Sequence, residues 1–277
     1  MKIACNYFPE TEQLFDEGAI ELDYFKFPAL TFQMEIMKNL DEFEAFCAGT
    51  TARRPILLHG LYPAPHDLSS PSFQSEFDDT ASDRLIKMTK TPGISLHPSL
   101  TRFSTNDSFD DILNTIISNA SFLKDKYSHL EFVSLENLDH LTWGDLIKPE
   151  IITKLINDSG CGFLLDVSHA YYASRYLKIP FYDYLMRLPL GKITEIHING
   201  WIETETAIMS HTKIHEKSYQ TLRMLLQLCE PKIITIEYGR HNDRIGSGCP
   251  VITPNAINLD AKNEILEQLT MINSLIN

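Results

Sequence analysis

Apolar residues recur along the chain in short, almost unbroken runs, separated by longer segments with apolar positions at helical spacing. Eight runs have the length and β-rich make-up of strands. They are KIACNY from Lys2, IELDYFKF from Ile20, PILLHG from Pro55, GISLHP from Gly93, EFVSLEN from Glu131, GFLLDVS from Gly162, ITEIHIN from Ile193 and KIITIEYG from Lys232. Several are nearly continuous apolar stretches, as strands covered on both faces require. Between them, DDILNTIISNASFLKDKY from Asp110, KSYQTLRMLLQLC from Lys217 and EILEQLTMINSLI from Glu264 read as helices. Asn106, Asp107 and Ser108 offer capping oxygens before the first. Strand alternating with helix predicts a parallel sheet. Eight rounds of the alternation favour a single (β/α)8 TIM barrel over an open doubly wound sheet. No linker divides residues 1–277, which read as one barrel domain. The Pro-rich stretches at 62–65 and 69–71 follow the third strand and read as an active-site loop. The polar run from Arg240 to Asn258 follows the eighth strand and could form a lid, so residues 240–277 read as a C-terminal loop and helix.

Composition narrows the partners. Apolar residues make up 43% of the 277, enough for a full core. Lys and Arg number 24 against 37 Asp and Glu, a net charge of −13 that repels phosphate backbones and argues against a nucleic-acid partner. No window reaches the ~18 consecutive apolar residues of a spanning helix, and the opening MKIACNYF lacks the apolar stretch of a signal peptide. The expectation is a cytoplasmic protein with no membrane partner. The five cysteines are scattered and never spaced as CxxC, which predicts reduced, buried thiols.

The chemistry gathers at strand ends. His59 ends the third predicted strand, His97 the fourth, Glu136 the fifth, Asp166 the sixth (with His169 just beyond), His197 the seventh and Glu237 the eighth, and His211 lies in the loop after the seventh. In a barrel these ends ring one mouth, where such folds carry their active sites. A lone histidine at a strand end is more often a hydrogen-bonded structural residue. A cluster of three carboxylates and five imidazoles is harder to leave uncompensated, because buried carboxylates are costly unless paired or coordinated. Divalent cations resolve the difficulty, since imidazole and carboxylate suit iron, manganese and zinc. The remaining histidines carry less: His129 and His140 read as surface residues, His66 lies in the Pro-rich loop, and His241 in the late loop could touch substrate. His215, four residues beyond His211, is a possible extra ligand. There is no GxGxxG after the first strand, no Walker loop and no GxSxG elbow. Gly246-Ser247-Gly248 is a weak anion-binding signal. Glu136 and Glu237 could be imagined as a glycosidase pair, although the surrounding histidines make that uneconomical.

At these residues the chain resembles the multinuclear non-heme iron-dependent oxidases, a family that includes the oxidase of methanobactin biosynthesis. The matching segments are Leu58-His59-Gly60, Ser95-Leu96-His97, Leu135-Glu136-Asn137, Leu164-Leu165-Asp166-Val167-Ser168-His169, Glu195-Ile196-His197-Ile198-Asn199-Gly200 and Ile236-Glu237-Tyr238. The resemblance implies a xylose-isomerase-like barrel holding two or three iron ions of mixed Fe(II)/Fe(III) valence. It implies O2 as co-substrate and oxidative modification of a residue, often Cys, in a ribosomally synthesised precursor peptide. It also implies a partner protein that recognises the leader. On this match His59, His97, Glu136, Asp166, His169, His197, His211 and Glu237 would be metal ligands, with Glu136, Asp166, His197 and Glu237 closest to the catalysis. Asn137, Trp201 and Tyr238 are candidates for orienting ligands or lining the cavity, although packing explains each equally well. One departure stands out: the family commonly has Asp-x-His after the seventh strand, and here the triplet is Met209-Ser210-His211. A thioether does not replace a carboxylate on a hard iron centre, so a metal is lost or His215, Glu216 or Asp243 substitutes.

Two rivals stay open. One is a metal-dependent hydrolase or sugar isomerase of the endonuclease IV and xylose-isomerase type. The other is a barrel that has lost a metal and binds a peptide without catalysis.

Overall fold

The computed structural model describes residues 1–27, 39–61, 67–98, 107–139, 144–204, 208–238 and 257–276. Its strands are β1 (Lys2–Asn6), β2 (Tyr24–Lys26), β3 (Ile56–His59), β4 (Gly93–Leu96), β5 (Phe132–Glu136), β6 (Gly162–Asp166), β7 (Ile193–Ile198), β8 (Gly200–Glu203), β9 (Ile208–Thr212) and β10 (Ile233–Ile236). Eight of them close into a parallel barrel in the order β1-β10-β7-β6-β5-β4-β3-β2. The closed barrel expected from the alternation is therefore found. Helices such as Phe109–Lys126, Pro149–Ser159, Glu216–Leu228 and Leu259–Ile276 lie among these strands in the chain. They bury Ile116, Leu123, Ile156, Leu222, Ile265 and Ile272 in the layer shared with the outward-facing strand residues. Each such side chain contributes about 1.5–3 kcal/mol by leaving water. Ser108 supplies the anticipated cap: its hydroxyl accepts from the Asp111 amide, and Asp111 returns the bond to the Ser108 backbone.

The barrel interior is layered. Period-2 alternation sends Ala4 inward with Leu57, Phe132 and Ile233, and these form a small apolar floor separate from the outer core. Gly93 pairs with Phe132 across the β4–β5 ladder. A Cβ there would fall 2.5 Å from the Phe132 ring, so only glycine lets that ring fill the floor. Above the floor the interior turns polar, with Lys26, Ser95, Glu195 and Thr235 all buried.

Three expectations change. The second strand covers only Tyr24–Lys26 of the stretch expected from Ile20 to Phe27, because Asp23 takes the Ile3 amide with its side chain and Leu22 gives its carbonyl to Arg54. The stretch after β7, expected as a loop, is an antiparallel hairpin of β8 and β9. The last helix starts at Leu259, five positions ahead of the expected Glu264. Most of the 240–258 run lies outside the described residues, as do His66, His140, His241, Gly246-Ser247-Gly248 and Cys249. His129 is exposed, as expected. The four described cysteines are free, three of them buried. No described helix is long and apolar enough to cross a membrane.

Candidate metal centre

The parallel strands deliver their last residues to one mouth. His59, Glu136 and Asp166 end β3, β5 and β6, and His197 is the penultimate residue of β7. His97 and Glu237 directly follow β4 and β10. His169 comes from the first turn of the helix Val167–Tyr176, and His211 from β9 of the hairpin. All eight meet. Glu136 lies at the middle: its Oε2 is 2.9 Å from His59 Nε2 and 3.0 Å from His97 Nε2, and its Oε1 is 3.2 Å from His169 Nδ1 and 3.7 Å from His197 Nδ1. His197 Nδ1 is 2.8 Å from Glu237 Oε2 and 3.9 Å from Asp166 Oδ2. His211 Nε2 is 3.3 Å from Glu237 Oε2 and 4.0 Å from Asp166 Oδ2.

Among the described residues, three groups have the spacing to hold a metal ion: His59, His97 and Glu136; Glu136, Asp166, His197 and Glu237; and Asp166, His169 and His211. Glu136 and Asp166 each belong to two groups and could bridge ions. The buried ligand atoms test the fit. Both ring nitrogens of His59, both oxygens of Glu136, His197 Nδ1 and Glu237 Oε2 are buried without a hydrogen bond. Buried polar atoms are rarely left so. Here they converge on common space with a donor set of imidazole and carboxylate, which suits a divalent transition metal.

The charges respond to this crowding. Burial acts to raise the Glu136 carboxyl, yet the imidazoles of His97 and His59 outweigh it and hold it well below the usual range. Burial likewise opposes ionisation of Glu237, which His197 and His211 nonetheless keep well below normal. Asp166 moves the other way, pushed up by burial, against His169 and with Glu237. Burial pulls His59 down to about 4. Against the same desolvation, Asp166 and Glu136 raise His169, and Glu237 raises His197 and His211. Acids and imidazoles share the same buried space, where a cation would compete with protons for the ligand atoms.

Neighbours fix the ligand directions. Asp166 Oδ1 caps the helix that carries His169, accepting from the His169 amide at 2.7 Å and the Ser168 hydroxyl at 2.8 Å. This leaves Oδ2 toward the cluster, where Asn199 Nδ2 donates to it at 2.7 Å. Asn137 pairs with the Asp166 backbone in both directions, and its carbonyl lies 3.1 Å from His169 Nδ1. His211 holds a left-handed backbone, φ 59°, rare for a non-glycine residue and a form of local strain that functional sites retain. Its hairpin is pinned from outside the cluster. Trp201 of β8 stacks on Tyr171 at 4.4 Å, and Lys217 Nζ lies 4.5 Å from the Tyr171 ring centre.

Other predicted residues sit elsewhere. His215 caps the helix Glu216–Leu228, its Nδ1 accepting from the Ser218 amide, and packs edge-on against Trp201 at 4.2 Å. The Tyr238 hydroxyl bonds to Glu264 of the last helix. Glu216 is bonded to Gln220 and Arg223. Met209 faces Ile202 across the hairpin, so no carboxylate stands at that position. Asp243 lies outside the described residues. Glu136 and Glu237 fall in one crowded group with Asp166 and His197, not on opposite sides of a cleft.

Four buried residues of the interior were not singled out from the sequence: Asn6, Lys26, Glu195 and Asn199. Both side-chain atoms of Asn6, at the end of β1, lack a hydrogen bond. A lysine inside Tyr-Phe-Lys-Phe and an acid inside Ile-Thr-Glu-Ile were legible signals, because a charge within an apolar strand must find a partner.

The chain is similar to several known proteins. A family model described as RiPP precursor modification enzyme MbnB/TglH/ChrH matches residues 73–245. A UPF0276 protein of Chromobacterium violaceum is 27% identical over 131 residues, which are 46% of this chain and 47% of that protein, so the match spans about half the length of that relative. Among solved structures, D-psicose 3-epimerase of Clostridium cellulolyticum H10 superposes with a TM-score of 0.64 at 12% identity, covering 100% of both chains. Endonuclease IV of Thermus thermophilus gives 0.54 at 14% identity, over 100% of this chain and 99% of that one. At such identities these likenesses concern the fold.

Proposed function

The chain belongs to the MbnB/TglH/ChrH family of RiPP precursor modification enzymes, and we propose that it is a multinuclear non-heme iron-dependent oxidase that modifies a residue, Cys foremost, of a precursor peptide. The observation that carries this reading is the set of three metal-sized groups linked through Glu136 and Asp166, with buried ligand atoms left unsatisfied. His59, His97 and Glu136 would hold one ion, Glu136, Asp166, His197 and Glu237 a second, and Asp166, His169 and His211 a third. Iron held by these residues would supply one-electron chemistry with O2, in the mixed Fe(II)/Fe(III) valence that the family resemblance implies, and would take a substrate thiolate as a ligand.

The protein's own part is to bind, orient and exclude water. Glu136, Asp166, His197 and Glu237 are buried and form the closed side of the centre. His97, 28% exposed, and the partly accessible His211 form its more open side, with His169 buried between them. A peptide therefore approaches over the arc from His97 through His169 to the hairpin. A leader-recognition partner would present the peptide from that side. With Met209 in place of an acid, the group of Asp166, His169 and His211 has only one carboxylate, shared with its neighbour.

Anaerobic purification with iron, metal analysis and an oxygen electrode test the reading. Iron at two or three equivalents, with O2 consumed when a Cys-containing precursor is added, is the expected result. Stoichiometric zinc with hydrolase or isomerase activity and no O2 uptake would replace it with the rival chemistry of the same fold. Glu136→Ala and His197→Ala variants that stay folded should lose both metal and turnover. Undiminished peptide binding without turnover in the fully loaded wild type would identify a non-catalytic barrel.

A further inference from the structure

Beneath the cluster, the barrel interior carries a buried chain of charge. Lys26 and Glu195 are essentially inaccessible, and Lys26 Nζ reaches the two Glu195 oxygens at 2.9 and 3.1 Å. Strands β2 and β7 are not neighbours in the barrel, so this bond crosses the interior. Ser95 Oγ on β4 accepts a further bond from Lys26 at 2.9 Å, and Thr235 Oγ1 on β10 donates to Glu195 Oε1 at 2.6 Å. The same oxygen lies 3.1 Å from His197 Nε2. Glu195 and His197 are two apart on one strand and so share its inner face.

The arrangement assigns the two nitrogens of His197 different work. An ionised carboxylate only accepts hydrogen bonds. Nε2 faces Glu195, to which it can donate a hydrogen, and Nδ1 is the nitrogen that faces the ligand atoms of Glu237, Glu136 and Asp166. We propose that Glu195, held in place by Lys26, is the positioning residue that turns His197 to bind metal through Nδ1. This rests on the metal-centre reading above and adds to it a second layer of the site built from β2, β4, β7 and β10. A carboxylate behind a ligating imidazole fixes the ring and strengthens its donation, and loss of such a partner weakens metal binding on the order of 10- to 100-fold.

The test uses zinc(II) as a redox-silent probe on the full chain. In the zinc-loaded wild type, 15N-histidine NMR should show His197 with a metal-bound Nδ1 and a hydrogen-bearing Nε2. That hydrogen should resonate downfield and exchange slowly. The double variant Lys26→Met/Glu195→Leu removes the whole pair and leaves no unpaired charge. It should fold, lose the downfield signal and bind at least one zinc equivalent on the order of 10- to 100-fold more weakly. Glu195→Gln keeps the shape and should lower the same affinity about tenfold, which covers the case where the double variant does not fold. A folded variant with every zinc equivalent at wild-type affinity would overturn the assignment and leave Lys26 and Glu195 as a packing element. Absence of zinc or iron binding in the wild type would instead sink the metal-centre reading itself.

Discussion

Lys26→Met measures what the buried ion pair does for folding. Methionine has nearly the volume of the lysine stem, so packing is kept while the ammonium is removed. Glu195 is then left as a carboxylate with no exposure, supported only by Thr235 at 2.6 Å and His197 at 3.1 Å. Breaking one side of a buried pair costs about 3–5 kcal/mol, because the abandoned charge keeps its desolvation penalty. In urea, with a slope near the upper end of the ~1–3 kcal/mol/M range, the midpoint of the metal-free protein should fall by about 1–2 M. Lys26→Met/Glu195→Leu should recover most of that loss, since replacing both partners by apolar groups is often neutral or stabilising. The pH dependence has a definite sign. Burial opposes ionisation of Glu195, but Lys26, His197 and Thr235 bring its carboxyl down to about 2, below the ordinary value of 4.5. A carboxyl depressed on folding stabilises fully above the unfolded value and loses that contribution as pH falls toward the folded one. The wild type should therefore weaken between about pH 4.5 and 2, and the double variant should lack this part of the slope. A midpoint for Lys26→Met within a few tenths of a molar of wild type, or a double variant no better than the single, would refute the reasoning.

Three other outcomes follow from the same geometry. His169, His197 and His211 are raised by their carboxylate neighbours against burial, so their share of metal-free stability is full below about pH 6.5 and declines as pH rises; calorimetry of zinc binding near pH 7 in buffers of different ionisation heat should accordingly show net proton release, and none would contradict it. Trp201→Ala removes the stack on Tyr171 and should cost about 3–5 kcal/mol, together with weaker zinc binding at the group containing His211, both read by urea melts and zinc titration. Asn6→Leu replaces a buried amide whose atoms have no hydrogen bond and should stabilise the metal-free protein by about 1–3 kcal/mol; a loss of stability would mean that the amide has a partner.

The barrel was legible because strands buried on both faces repeat as apolar runs, and the acids within Leu-Leu-Asp-Val and Thr-Ile-Glu-Tyr marked the mouth. What the pattern concealed is the second layer. Lys26 and Glu195 lie 169 positions apart, and only closure of β1 between β2 and β10 brings them together. The hairpin was hidden for a different reason. Ile202, Glu203, Ile208, Met209 and Ser210 mix apolar and polar side chains without a clean alternation, because β8 and β9 pair mainly with each other over the barrel mouth. Trp201, a candidate for lining the cavity, and His215, a possible extra ligand, pack against each other beside this hairpin.

The common membership of Glu136 and Asp166 in adjacent groups means that the wells are links in a chain and not separate vessels. A cation held in one well would engage a carboxylate that is also a wall of the next, so occupancy of one well would bear on its neighbour. Filling should be steep in free metal concentration, and exchange at one end of the row should be felt at the other without any movement of the barrel.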